Sequence, residues 1–265
     1  MNFLERVVAE KRAALEERKH ALPPEALELC LPSNGIRDFH AAVSRPGAVI
    51  AELKARTPTI PSFRHSGGLR VLASIYEHNG AAAVSIVTDP ARFGTSLEDV
   101  APVRAVTTLP VIAKDFIVDR YQVLEARTAG ADAILLIVRI LDLPELKSLH
   151  AYARELGMHV LVETHDESEI LAALAAGAKI VGINNRDLDT MTISLETTRR
   201  LAHLVPDDVV LVSESGIQTR DDIDGLLALR PCSFLVGGSL LDAADPGALL
   251  RGLTGQGDGE REIAR

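Results

Sequence analysis

The chain has no tryptophan and only two cysteines among its 265 residues, and these shortages exclude several classes of function. With aromatic residues at 3%, there is little surface on which nucleic-acid bases could stack. Positive charge is also scarce: 28 Lys and Arg face 37 Asp and Glu, a formal net charge of −9. That sign argues against nucleic acid or an anionic membrane as the main partner. Cys30 and Cys232 lack metal-ligand spacing, and the histidines form no metal site with them, so no metal is expected. No apolar run approaches the roughly 20 residues that span a bilayer. Residues 1–20 mix charged and apolar side chains, unlike a signal peptide. The expectation is a soluble, reduced, cytoplasmic protein.

What the chain does have is hydrophobic content of 47%, much of it in short Val- and Ile-rich runs suited to parallel strands buried on both faces. Strand starts are expected near residues 49, 82, 111, 133, 159, 180, 209 and 233. Their spacing of about 20–35 residues leaves room for a helix and two loops in each βα unit. Helices are expected over 121–129, 143–156 and 167–176, with Gly130, Gly157 and Gly177 marking their ends. Residues 2–20 read as an amphipathic helix with Phe3, Leu4, Val7, Val8 and Leu15 on one face. The expected fold is α/β: a single (βα)8 barrel over residues 1–254 with an N-terminal helical extension (about 1–45), then a flexible tail at 255–265. A doubly wound open sheet would gather its ligands at one switch point. Here polar groups follow many strands, and a closed barrel collects them at one mouth.

Those polar groups carry the chemistry. Glu52 and Lys54 end the first run two residues apart, so both face one side. Lys114 follows Val111-Ile112-Ala113, Glu163 follows Leu161-Val162, and Asn184 and Arg186 follow Ile183. Glu214 closes the seventh run. A lysine placed directly after a buried strand is expected to be partly desolvated, with a lowered pKa that eases proton transfer near neutrality. Glu163 would serve as a general base or as a counter-ion to Lys114. Asp115 should face away from Lys114 and anchor a loop or pair with a neighbouring strand. His165 reads as a structural or exposed loop residue. Ser215-Gly216 and Gly237-Gly238-Ser239 follow the seventh and eighth strands, where glycine lets backbone N–H groups approach a phosphate. Three cations (Lys54, Lys114, Arg186) would thus face three carboxylates (Glu52, Glu163, Glu214).

The ordered stretches Ala51-Glu52-Leu53-Lys54, Lys114-Asp115-Phe116-Ile117, Leu161-Val162-Glu163, Gly182-Ile183-Asn184-Asn185-Arg186-Asp187-Leu188, Glu214-Ser215-Gly216-Ile217 and Val236-Gly237-Gly238-Ser239 resemble indole-3-glycerol phosphate synthase of tryptophan biosynthesis. The resemblance runs from about residue 48 to 245. It implies a cofactor-free lyase that closes, decarboxylates and dehydrates 1-(2-carboxyphenylamino)-1-deoxyribulose 5-phosphate. It also implies that Glu52, Lys54, Lys114, Glu163, Asn184 and Glu214 are catalytic, with Lys114 the general acid. Arg186, Ser215, Phe116 and Leu188 would bind substrate, and Thr57, Gly216, Gly237, Gly238 and Ser239 its phosphate. A monomer or weak homodimer acting on a small phosphorylated molecule is expected. Departures fall in the loop at 57–68, where Thr57-Pro58-Thr59 replaces the family's Ser-Pro-Ser, and at Gly94, displaced by one position. Three readings compete with the synthase: a specialised paralogue acting on a modified anthranilate, a Schiff-base aldolase or phosphosugar isomerase, and a non-catalytic phosphate-binding barrel.

Overall fold

In a computed structural model that describes residues 3–256, apart from 34, 59, 64, 66, 67 and 189, eight parallel strands close into a barrel in chain order. They are β1 (Val49–Leu53), β2 (Ala83–Val87), β3 (Val111–Lys114), β4 (Ala133–Ile137), β5 (His159–Thr164), β6 (Ile180–Asn184), β7 (Val210–Glu214) and β8 (Ser233–Val236). β8 returns to β1 with Val49 beside Phe234 and Ala51 beside Val236. The expected strand starts are met to within a residue. At the seventh, Val209 belongs to the turn from Pro206, and Val210 makes the first ladder bond, to Lys179. Helices Arg120–Thr128, Leu143–Glu155 and Glu167–Ala175 occupy the expected spans. Gly130, Gly157 and Gly177 follow them at φ of 96°, 79° and 87°, a region that costs L side chains energy.

Each strand is buried on both faces, and the period of two sorts its residues between two cores. Val49, Ala51 and Leu53 of β1 pack outward against the surrounding helices, as do Val111 and Ala113 of β3. Ile50, Ile112, Ala133, Leu161, Ile180, Val212 and Leu235 fill the barrel interior. Phe39 and Val43, from the short helix Phe39–Val43, join that inner cluster and plug the barrel at the N-terminal ends of the strands. The same parity turns Glu52, Lys114, Glu163, Asn184 and Glu214 into the barrel at its other end.

The N-terminal helix, Phe3–Ala21, buries Leu4, Val7 and Leu15. It lies over the loops that follow β2 and β3. Lys11 reaches Asp115 at 2.6 Å and Asp89 at 3.6 Å, Lys19 reaches Asp119 at 2.7 Å, and Arg18 reaches Glu125 at 3.2 Å. The Phe3 ring meets Phe116 edge-on at 6.4 Å. Asp115 does anchor a loop, as expected; its partner is this helix. Of the tail at 255–265, residues 257–265 lie outside the described residues, as do Thr59, Arg64, Ser66 and Gly67 of the departing loop. No described helix is long and apolar enough to cross a membrane.

Candidate active site

At the C-terminal end of the barrel, four ionisable side chains are almost sealed from water. Glu52, Glu163 and Glu214 are buried, and only 16% of the Lys114 side chain is exposed. Lys114 Nζ sits 3.3 Å from Glu163 Oε2 and 3.1 Å from Glu214 Oε2. Lys54 is paired with Glu52. Two glycines make room for this cluster, Gly182 on β6 beside β7 and Gly237 just past β8 beside β1. A Cβ at Gly182 would overlap the Glu214 carboxylate, and one at Gly237 would overlap that of Glu52. Gly237 therefore has a packing role beside the phosphate role expected of it.

The charge states follow from this crowding. Burial opposes the Lys114 ammonium, but Glu214, Glu163 and Glu52 together outweigh burial and raise its pKa above the ordinary lysine value. The expected lowering is thus reversed: desolvation acts as foreseen, but three carboxylates close around the charge. Burial also opposes the charged forms of Glu52 and Glu163. Lys54 and Lys114 overcome it at Glu52, and Lys114, His165 and the Asn184 amide overcome it at Glu163, so both pKa values fall below the usual carboxylate range. At Glu214 burial prevails over Lys114, and the neighbouring carboxylates add to it, pushing its pKa up to about 7. Among the described residues neither Glu214 oxygen has a hydrogen-bond partner of good geometry, although Lys114 stands within ion-pair range. The result is two ammonium groups, two carboxylates and a third carboxyl that gains or loses its proton near neutrality.

Around this floor stand the other expected residues. Asn184 Oδ1 accepts the Arg186 N–H at 3.0 Å while its amide serves Glu163. Arg186 leaves the strand into an antiparallel bridge with Ile193, and its Nη1 lies 3.5 Å from the Met191 carbonyl. The guanidinium is therefore tied to the loop after β6. Ser215 and Gly216 are both left-handed, with φ of 66° and 88°. A Cβ at Gly216 would also press on Ile193 at 2.8 Å. Ser239 Oγ donates to the Ile217 carbonyl at 3.0 Å, tying the loop after β8 to that after β7, while Gly238 faces open space. Thr57 Oγ1 accepts from Ile60 N–H at 2.9 Å within its own turn. Phe116 and Leu188 are half-buried near the rim.

Phe63, Asn185 and Glu169 went unread as site residues in the sequence, and His165 was read only as a structural or exposed loop residue. Phe63 is buried, with its ring 5.9 Å from Lys54 Nζ, so the loop after β1 folds over that lysine. Asn185 is buried behind the anion loop, its Nδ2 donating to Ser213 Oγ and to the Glu214 and Ser215 carbonyls, each at 3.0 Å. His165 is buried rather than exposed and faces Glu163 Oε1 at 3.4 Å; Glu169 stands behind it. The parity 161, 163, 165 carried the signal for His165, since it extends the inward face of β5 by one step.

Comparison with known proteins shows the family and the fold. A sequence profile of the indole-3-glycerol phosphate synthase family matches residues 4–253. The chain is 42% identical over 254 residues to the indole-3-glycerol phosphate synthase of Burkholderia vietnamiensis, covering 94% of this chain and 97% of the other. It is 44% identical over 260 residues to that of a Nocardioides species, covering 96% and 99%. Among solved structures, KGPDC from Streptococcus mutans superposes with a TM-score of 0.62 at 14% identity, over 80% of this chain and 97% of the other, a likeness of fold. The chain belongs to the indole-3-glycerol phosphate synthase family.

Proposed function

We propose that this chain converts 1-(2-carboxyphenylamino)-1-deoxyribulose 5-phosphate to indole-3-glycerol phosphate, with loss of carbon dioxide and water. The observation that carries the reading is the buried ring of Glu52, Lys54, Lys114, Glu163, Asn184 and Glu214 at one barrel mouth, in a chain of this family. Ring closure joins the carboxylate-bearing aromatic carbon to the substrate's ketone carbon, and negative charge develops on the ketone oxygen. Lys114, held as an ammonium by its carboxylates, is suited to stabilise and protonate that oxygen. Once the new bond forms, decarboxylation restores the aromatic ring.

Glu163 would orient the anilino nitrogen and take its proton, with Asn184 fixing the carboxylate. Lys54 and Glu52 would receive the substrate carboxylate and then serve the dehydration. Glu214, titrating near neutrality, would complete the proton exchange with Lys114. Arg186, Phe116, Leu188 and Ser215 would line the anthranilate side. The phosphate would lie against Gly216, Gly237, Gly238 and Ser239, with Thr57 at its edge. A charged Lys114 is poorly suited to attack a carbonyl as an amine, which weighs against the Schiff-base aldolase reading.

The functional unit would be the barrel with its N-terminal extension, residues 1–254, working in the cytoplasm as a monomer or weak homodimer without metal or organic cofactor. Of the described residues, the four most exposed large apolar ones, Leu29, Val71, Leu171 and Leu229, lie on different segments around the barrel, in keeping with a mostly unpaired surface. Substrate isotopically labelled at its carboxyl group tests the activity. Release of label as carbon dioxide in step with indole-3-glycerol phosphate supports it, and unconsumed substrate with folded protein overturns it.

A further inference from the structure

Behind Glu163 lies a second tier of ionisable groups that the reaction as described leaves unused. His165 is 93% buried by its 7% exposure, and its ring stands between two carboxylates. Its Nδ1 is 3.0 Å from Glu169 Oε2, and its backbone N–H donates to that same oxygen at 2.7 Å. Glu169 is held in turn from the segment Val138–Ile140: Arg139 Nε donates to Glu169 Oε1 at 2.8 Å, and Arg139 also reaches Asp166 at 3.6 Å. On the other side, His165 Nε2 is shielded from solvent, has no hydrogen-bond partner among the described residues, and faces Glu163 Oε1 at 3.4 Å. Glu163 in turn meets Lys114 on β3 and Asn184 on β6.

The tautomer follows from these contacts. A carboxylate only accepts hydrogen bonds, so the Nδ1 that meets Glu169 must carry a hydrogen. In a neutral ring Nε2 would then point its lone pair at the Glu163 carboxylate, and two acceptors would face each other in a buried space. A single proton between Nε2 and Glu163 Oε1 removes that conflict, whether it rests on nitrogen or on oxygen. Burial works against the imidazolium, but the Glu169 hydrogen bond and the charges of Glu163 and Glu169 outweigh it, against a smaller opposing effect of Arg139. The His165 pKa accordingly stands above the ordinary histidine value.

We propose that His165 is a positioning residue that shares a proton with Glu163. The proton rests on His165 Nε2, and the imidazolium, held from behind by Glu169, fixes the Glu163 carboxylate and keeps it charged to take a proton from substrate. Both ring nitrogens then carry hydrogen, so His165 accepts no second proton, and the one that Glu163 takes leaves to solvent when the site opens. The inference rests on the synthase reading for the role of Glu163 as a base; the shared proton itself does not depend on substrate.

The test uses the full chain labelled with nitrogen-15 in histidine, with His165 assigned through its backbone. Imidazole nitrogen shifts are followed over about pH 5 to 9 with and without E163Q. The proposal expects Nδ1 protonated throughout, Nε2 titrating, and that titration moving to lower pH in E163Q, where the facing charge is gone. A neutral ring protonated at Nε2, or a titration indifferent to E163Q, overturns it.

Two variants add a kinetic readout. H165N keeps an amide near Nδ1 and loses contact with Glu163. It should lose about tenfold in kcat, the scale of one hydrogen bond to a charged group, with KM little changed. H165Q places a donor near Nε2 that does not titrate, so it should recover part of kcat and flatten the pH profile. Parent-like kcat and pH profile in H165N would also overturn the proposal. An inactive parent enzyme would count against the synthase reading instead, while the nitrogen shifts still decide the shared proton.

Discussion

Replacing Lys114 with alanine removes the cation that two buried carboxylates share, and its effects on rate and stability can be worked out separately. For the rate, a positioned proton donor in the transition state contributes about 10²–10⁴-fold, so turnover should fall by at least that range. For stability, stripping one partner from a buried ion pair costs about 3–5 kcal/mol. Against a typical margin of about 5–15 kcal/mol, the variant stays folded. The cost should depend on pH, with a definite sign. Lys114 lowers the pKa of both Glu163 and Glu214, so its loss raises both in the folded state. A carboxyl whose folded pKa lies above its unfolded value binds its proton more tightly when folded. It therefore favours folding at low pH and penalises it as pH rises through the folded pKa. The difference in Tm between parent and Lys114→Ala should be small near about pH 5 and widen toward pH 9. The chain has no tryptophan, so formation of an indole product can be followed by fluorescence at wavelengths beyond the emission of its three tyrosines. Near-normal turnover in a folded Lys114→Ala variant would remove Lys114 from the mechanism, and a Tm gap that narrows as pH rises would refute the charge assignment.

Other perturbations probe the surrounding frame. Gly182→Ala drives a methyl into the Glu214 carboxylate and against Leu161 Cδ1 at 3.3 Å; it should cost about 1–3 kcal/mol by overpacking and lower kcat, read by thermal unfolding and steady-state kinetics. Asn185→Ala strips the hydrogen bonds behind Ser215 and leaves Ser213 and Thr198 short of a partner. It should destabilise by about 1–3 kcal/mol and raise KM more than it lowers kcat, since the anion loop loosens while the floor of the site is kept. Glu125 sits under the N-terminal helix, where burial outweighs its Arg18 partner and pushes its pKa up to about 7. Its folded pKa lies above its unfolded value, so its charge costs stability as pH rises from about 4.5 through about 7, and Glu125→Gln should raise Tm at about pH 8 but not at about pH 4, for a gain of no more than about 3 kcal/mol.

The barrel was legible in the sequence because its signals are local. Val111-Ile112-Ala113 reads as a buried strand from composition alone, and the period of two then carries Lys114 inward whatever the neighbouring strands do. The ring of Glu52, Glu163, Asn184 and Glu214 was legible for the same reason. What escaped depends on contacts between distant segments. The Lys114 pKa turns on Glu163 and Glu214, whose approach to it is set by barrel closure. Nothing near residue 3 or 11 in the chain announces that the helix Phe3–Ala21 will rest on Asp89 and Asp115. Phe63 lies in a loop whose course over Lys54 depends on bonds to the loop after β2, such as Ala55 N–H to the Phe93 carbonyl at 3.0 Å. Arg186 shares the parity of Asn184 but passes the end of the strand, and there the loop after β6 governs its direction.

The most direct test of the central claim is the fluorescence of purified protein mixed with 1-(2-carboxyphenylamino)-1-deoxyribulose 5-phosphate in metal-free buffer. The expected result is indole emission that rises with repeated turnover in the parent chain and stays at baseline in Lys114→Ala. A parent chain that is folded, binds the substrate and yields no indole emission would contradict the account.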